Sequence, residues 1–307
     1  MAQEISYPAA LQELTVHRAW ESVLRGDTHA ASQLRSLIGH SWRRCLDAQV
    51  DPNRDKAPDL ISPDSLAQLH EQQHDMVQAS APIMALARDY LSETGSIMIL
   101  ADASGTILAS EGDHSVQDAA SGIHLMPGAR WSEALCGTNA IGTALEVGEP
   151  VQIHSAEHFC AGIKRWTCAA TVVRHPTDGD ILGAVDVSGL SSTFSPQSLA
   201  LAVTTAKRIE SRLALDELER RYRLLDVSLN RLSAAASSGA VLFDRRGTAI
   251  KANAGAQAGI LAADGPADWL RSLRRLSALA QWRQGSPVPL GLPHLFRGKI
   301  NPPALMR

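Results

Sequence analysis

From Leu11 to Asp47 the apolar residues Leu14, Trp20, Leu24, Leu34, Leu37, Ile38 and Trp42 recur at helical intervals among polar ones, which predicts a helical hairpin. The stretch DPNRDKAPDLISP, Asp51 to Pro63, mixes prolines with charge and predicts a loop or linker. Helical spacing returns between Ser65 and Glu93 through Leu66, Leu69, Met76, Ile83, Leu86, Tyr90 and Leu91, with Pro82 expected to kink or restart the helix. The period then changes. Ile97 to Leu100 reads as a buried strand, followed by a turn at Ser104 and Gly105 and a second strand through Ile107 and Leu108. Asn139, with Thr138, is placed to cap a helix that carries Ile141, Ala144 and Leu145 on one side and stops at Gly148. Beyond Pro150, Val151 and Ile153 alternate with Gln152 and His154 as in a strand. Thr167 to Arg174 and Ile181 to Ser188 form two more, joined by the turn residues Pro176, Asp178 and Gly179. Strands joined by hairpins and flanked by helices define an α+β class with an antiparallel sheet.

Gln197 to Ala235 contains no Gly or Pro and is rich in Leu, Ala, Glu and Arg, so it is expected to be the longest helix. Within it Leu218, Tyr222, Leu225, Leu229 and Leu232 follow a 4-3-4-3 spacing, the seam of a dimerising coiled coil; the alternative is an amphipathic helix lying on its own domain. GAVLFDRRGTAI, Gly239 to Ile250, predicts two strands around a turn at Arg246 and Gly247, and KANAGAQAGIL a helix after them. A further helix is expected from Trp269 to Trp282, whereas GSPVPLGLPHLFRGKINPPALMR reads as too loop-like for more strands.

Composition adds limits. The chain has 307 residues, enough for about two domains, and a net charge of -3 that gives no overall basic surface for nucleic acid. Its four cysteines, Cys45, Cys136, Cys160 and Cys168, lack the paired spacing of a disulfide framework. No leader segment opens the chain and no apolar run approaches a membrane span, so the expected location is the cytoplasm, with no membrane partner.

The densest chemistry lies between Trp131 and Trp166. Two tryptophans bracket polar residues in a chain with 4% aromatics, which suits a small-ligand pocket with Trp131, Glu133, Thr138, Asn139, His158 and Trp166 as its binding residues. The plainer reading is that the tryptophans fill core volume and Asn139 caps a helix. His154, His158, Cys160 and Cys168 lack tight zinc-ligand pairs, so no metal and no cofactor are expected. Cys136 stands in no nucleophile elbow, and a buried structural thiol is the default. Arg43 and Arg44 beside Trp42 read as a solvated helix face.

The strings WSEALCGTNAIGTAL, GEPVQIHSAEHF, WTCAATVV and ILGAVDVSG, with SWRRCLDAQVDP upstream from Ser41, resemble the sensor region of acetoin- and glycerol-type sigma-54-dependent transcriptional activators. The resemblance runs over roughly residues 30 to 260 and is specific, because uncommon strings recur in one order. It implies a GAF-type antiparallel sheet followed by a partial PAS-like domain. The implied division is an N-terminal helical segment and linker (1–64), a GAF-like sensor (65–196), a signalling helix (197–235) and a partial PAS-like domain with an irregular tail (236–307). It further implies a small-molecule effector, while the expected homodimer rests on the seam spacing of the long helix. DNA and sigma-54 RNA polymerase would be reached only through output domains absent from this chain. The chain has no G-x-x-x-x-G-K-[ST] string, so ATP hydrolysis is not expected of it. A regulator without catalysis is the first reading; a cytosolic enzyme using Cys136 or the His154/His158 pair is the alternative.

Overall fold

A computed structural model describes residues 10–27, 29–30, 34–191, 197–234, 240–243, 249–256 and 295–297. The chain divides into two compact units, residues 1–214 and 215–307.

The first unit begins with α1 (Ala10–Leu24) and α2 (Ser36–Asp47), then α3 (Pro63–Gln72) and α4 (His74–Leu91). The hairpin β1 (Ser96–Asp102) and β2 (Ile107–Gly112) leads through α5 (His114–Gly122), α6 (Glu133–Cys136) and α7 (Ala140–Val147) to β3 (Val151–His154), β4 (Trp166–Arg174) and β5 (Ile181–Leu190). These strands form a five-stranded sheet in the order β2-β1-β5-β4-β3, and every pairing in it is antiparallel. The α+β class and the five strands read from the sequence are thus present.

The sheet is covered on both faces, which is why its central strands read as near-continuous apolar runs. Alternation still sorts them: Ile97, Ile99 and Ala101 of β1 enter one core, Met98 and Leu100 the other. The second core is closed by Met76, Ala79, Ile83 and Met84 of α4 and by Ala202, Ala206, Ile209 and Leu213 of α8 (Gln197–Ala234). The first core takes in Ile38, Trp42 and Cys45 of α2 and Ala140, Ile141 and Ala144 of α7.

Two details depart from the sequence reading. The helical stretch breaks at Gln73, not at Pro82, which sits inside α4. Burial of the α4 face outweighs the one hydrogen bond that a proline forfeits. The segment from Asp51 to Pro63 is not a free linker. Ala57 donates its N–H to Ile123 O, Ile61 donates to Gly128 O, and Arg54 O accepts from Gly162. A Cβ on Gly162 would come 2.2 Å from Asp55 O, so this strap needs a glycine beneath it.

The second unit contains the C-terminal part of α8 with β6 (Ala240–Phe243), β7 (Ala249–Ala252) and β8 (Leu295–Arg297), in the antiparallel order β7-β6-β8. The strand β8 corrects the expectation of a tail without strands. Three residues are too few to show a period, and the strand is defined by pairing with β6 alone. The predicted turn at Arg246 and Gly247, the helix from Trp269 to Trp282, and the side chains of Leu229 and Leu232 lie outside the described residues.

Candidate functional site

A small cavity lies in the first unit between the sheet, the start of α7 and the segment after β3. Trp166 and Cys168 of β4 and Asp186 and Ser188 of β5 form its floor, and Asn139 to Ile141 one wall. Ile123, Leu125, Trp131, His158 and Ile163 complete it. The space open to the centre of a water-sized sphere is about 10 Å³, room for about one water. A larger occupant must displace side chains.

Register explains the floor. Asp186 pairs with Ala170 on one side and Ile99 on the other, while Ser188 faces Cys168 and Ile97. Asp186 and Ser188 are two apart and share a face of β5. Val185 before them and Val187 between them join the opposite core, against α4 and α8.

His158 is fully buried, and its Nδ1 lies 3.0 Å from Ser155 O. A carbonyl only accepts, so Nδ1 carries the hydrogen and Nε2 presents a lone pair. That Nε2 has no hydrogen-bond partner among the described residues. Burial pushes the imidazole pKa down to about 3, so the ring is neutral at pH 7. Asp186 is equally enclosed. Its Oδ2 accepts from Ser188 Oγ at 2.5 Å, its Oδ1 has no partner among the described residues, and burial pushes its pKa up to about 7.

The two tryptophans are fixed by a hydrogen bond at Trp131 and by burial at Trp166. Trp131 Nε1 donates to His124 O at 2.9 Å, and Trp166 is 3% exposed. Asn139 lines the cavity but spends its amide locally: Oδ1 accepts from Gly142 N and Nδ2 donates to Gly137 O, both at 2.8 Å. The cap read from the sequence is therefore formed. A Cβ on Gly142 would stand 2.4 Å from Glu133 N, so a glycine lets α7 lie this close to α6.

Glu133 and Thr138, named as ligand residues from the sequence, are buried outside the cavity lining. Glu133 accepts from Arg44 Nε at 2.5 Å, from Ser41 Oγ at 2.7 Å and from Thr143 Oγ1 at 2.7 Å. Thr138 Oγ1 lies 2.6 Å from Ser41 Oγ. Both tie α2 to α6 and α7. The solvated face expected at Arg43 and Arg44 holds for Arg43 alone, since Arg44 is partly buried in this ion pair.

A second set of contacts staples the N-terminal helices to the backbone around His158. Trp20 Nε1 donates to Phe159 O and Trp42 Nε1 to Glu157 O, each at 2.8 Å. Arg35 makes a two-pronged bond to Glu157. Lys164 Nζ lies 4.3 Å from the Trp20 ring centroid, and burial pushes its pKa down to about 7.

Burial also raises the thiols, Cys45 to about 11 and Cys136 and Cys160 to about 12, with Cys168 well above the ordinary value. Such thiols are protonated at neutral pH and are poor nucleophiles. Sequence reasoning missed Asp186 and Ser188. The available signal was a lone carboxylate in the apolar run ILGAVDVSG, a residue type that is seldom buried unpaired.

The family described as MimR, N-terminal domain, matches residues 13–211. The acetoin dehydrogenase operon transcriptional activator AcoR of Bacillus subtilis (strain 168) is 30% identical over 208 residues, 68% of this chain and 34% of that protein. The propane 2-monooxygenase operon transcriptional activator MimR of Mycolicibacterium goodii is 30% identical over 213 residues, 69% of this chain and 35% of the relative. The chain thus spans about a third of the length of these relatives. A chain in the crystal structure of the E. coli DhaR(N)-DhaL complex shares the fold with a TM-score of 0.59 at 21% identity, covering 73% of this chain and 76% of that one.

Proposed function

Because this chain belongs to the MimR N-terminal domain family, whose curated relatives are named as transcriptional activators, we propose that it is the ligand-sensing region of a sigma-54-dependent activator. In this reading residues 65–196 are the GAF-like sensor, residues 236–307 hold a partial PAS-like domain and a tail, and the cavity binds a small metabolite. The observation that carries the reading is the cavity lined by Trp131, Trp166, His158 and Asp186, the last two each holding a buried polar atom without a partner among the described residues.

Signal output follows from alternation on β5. Asp186 and Ser188 face the cavity while Val185 and Val187 meet the core that includes Ala202, Ala206 and Ile209 of α8. A ligand that favours one position of β5 shifts the population of α8 arrangements. DNA and sigma-54 RNA polymerase are reached through output domains outside this chain, in the cytoplasm. Among the described residues no helix is long and apolar enough to cross a membrane.

Self-association through α8 belongs to the same proposal. Leu215, Leu218 and Tyr222 are 61%, 51% and 65% exposed on that helix, an apolar stripe suited to a second copy. Leu225 is partly buried against the cluster of Ala240 and Leu242 in its own chain. Catalysis by Cys136 is disfavoured by its protonated thiol, which donates to Arg130 O.

The test is a thermal-shift screen of small metabolites on the purified chain, followed through tryptophan emission. A binding compound is expected to stabilise the first unit, by about 2.7 kcal/mol at a hundredfold excess over its dissociation constant. A panel of polyols, ketols, alcohols and short acids without any shift overturns the sensor reading.

A further inference from the structure

The cavity has room for about one water, so any larger guest needs a wall that yields. Its floor cannot yield locally. β5 is hydrogen-bonded to β1 on one side and to β4 on the other, and β4 lies between β5 and β3, so moving the floor breaks ladders on both flanks. The start of α7 is fixed as well, by the Asn139 cap and by close packing of Gly142 on Glu133. Trp131 N donates to Gly105 O in the turn before β2, and the backbone around His158 is held by Trp42 and Lys164. Of the remaining walls, Ile123 and Leu125 lie on irregular backbone after α5, and Ile163 ends the short helical turn Ala161–Ile163.

Both segments are pinned from outside by the same strap. Ala57 donates its N–H to Ile123 O at 3.1 Å, and Ala57 O accepts from His124 Nδ1 at 2.9 Å. At the other end Ala161 N donates to Pro52 O at 2.8 Å and Gly162 N to Arg54 O at 3.1 Å. The N–H groups that open the turn before Ile163 are thus spent on the strap. Residues 59–61 form its firm end, where Arg130 N donates to Asp59 O and Ile61 N to Gly128 O.

Little burial holds the stretch between. Ala57 is 1% exposed, but its methyl group hides little apolar surface. Asn53, Asp55 and Lys56 are exposed and lose nothing on lifting. Arg54 Nε is buried with no acceptor among the described residues, which makes the seated position less stable than a fully paired one.

We infer that residues 52–57 are the gate of the cavity: they lift from Ile123 and from the turn Ala161–Ile163 as one unit, hinged at residues 59–61, while the sheet floor and α7 stay in place. The gate rests on the reading of the cavity as a sensor site, and its opening is measurable without a guest.

The cysteines give the readout. Cys168 lies in the cavity floor, Cys160 directs its thiol to Asp51 O beneath the strap, and Cys45 is buried in α2 against Thr138, outside the cavity lining. The purified chain is labelled with methyl methanethiosulfonate at about pH 8, each thiol is followed by peptide mass spectrometry, and amide exchange is read by NMR. Cys168 and Cys160 are expected to react about tenfold or more faster than Cys45, at rates that low urea barely changes, because a local opening exposes little surface. Cys45 waits for global unfolding. The amides of Ala57, Ala161 and Gly162 are expected to exchange through that same opening, ahead of those of β4 and β5. Gly162→Ala places a Cβ 2.2 Å from Asp55 O and is expected to speed Cys168 about tenfold with Cys45 unchanged.

The wild-type rates keep the test decisive where that variant fails to fold. One common rate for Cys45 and Cys168, rising with urea as global unfolding does, overturns the gate. Fast Cys168 with protected amides at Ala57 and Gly162 also overturns it, since the opening then lies elsewhere. Either result leaves the sensor reading to the thermal-shift screen, and a screen without a hit removes the guest while the measured opening stands.

Discussion

Lys164 Nζ lies 2.7 Å from the carbonyl oxygen of His158. One side chain thereby joins the backbone at His158 to Trp20 of α1, since the same amine sits over the Trp20 ring and reaches Ala156 O at 2.9 Å.

Removing that link is expected to loosen both ends. Lys164→Met should destabilise the first unit by about 1–3 kcal/mol, because two carbonyls lose their donor. Its pKa is lowered from 10.5 to about 7, so between those values the unfolded chain binds the extra proton and native stability rises with pH. Urea unfolding of both proteins between pH 7 and pH 10 checks it: this rise should disappear in the variant.

Asp186 behaves with the opposite sign. Its pKa is raised from 3.8 to about 7, so the native state holds a proton that the unfolded chain releases, and stability falls as pH rises across that window. Asp186→Asn should be close to neutral near pH 4 and stabilising above pH 7, by up to about 4 kcal/mol. Thermal melts of the two proteins over this range test the prediction, and a difference independent of pH contradicts it.

Glu133 is predicted to matter for folding and not for ligand recognition. Glu133→Ala leaves Arg44 and two hydroxyls without their acceptor and should cost about 3–5 kcal/mol. Asn139→Ala removes a formed cap and should cost about 1 kcal/mol. Chemical denaturation gives both values. A Glu133→Gln protein that folds but no longer binds any cavity ligand would return Glu133 to the site.

On α8 the exposed and the packed positions should separate. Leu218→Ser with Tyr222→Ser is expected to shift the chain toward monomer in sedimentation without lowering its melting temperature. Leu225→Ala should instead destabilise the second unit by about 2 kcal/mol, the low end for a leucine that is only partly buried.

The elements that repeat themselves locally were legible in the residues. Helical spacing located α1, α2 and α4, Gly148 marked the end of α7, and alternation around Val151 and Ile153 located β3. Four of the six residues named for the pocket, Trp131, Asn139, His158 and Trp166, do line one cavity. Each is either a bulky aromatic ring or part of the dense stretch between them. Glu133 and Thr138 come from the same stretch but point the other way, because α6 and α7 meet there and only three-dimensional packing decides which side faces α2.

The chain by itself therefore determined the five strands of the first sheet, its longer helices and the Asn139 cap, since periods of two and 3.6 and the backbone demands of a helix end act within a few residues. The tertiary structure decided which side chains meet. Asp186 reaches His158's cavity only because β5 sits between β1 and β4 and turns its polar residues toward α7. Arg44 finds Glu133 only once α2 has docked. No local pattern encodes those meetings, because they arise from burial of two sheet faces at once, and burial is a property of the whole fold.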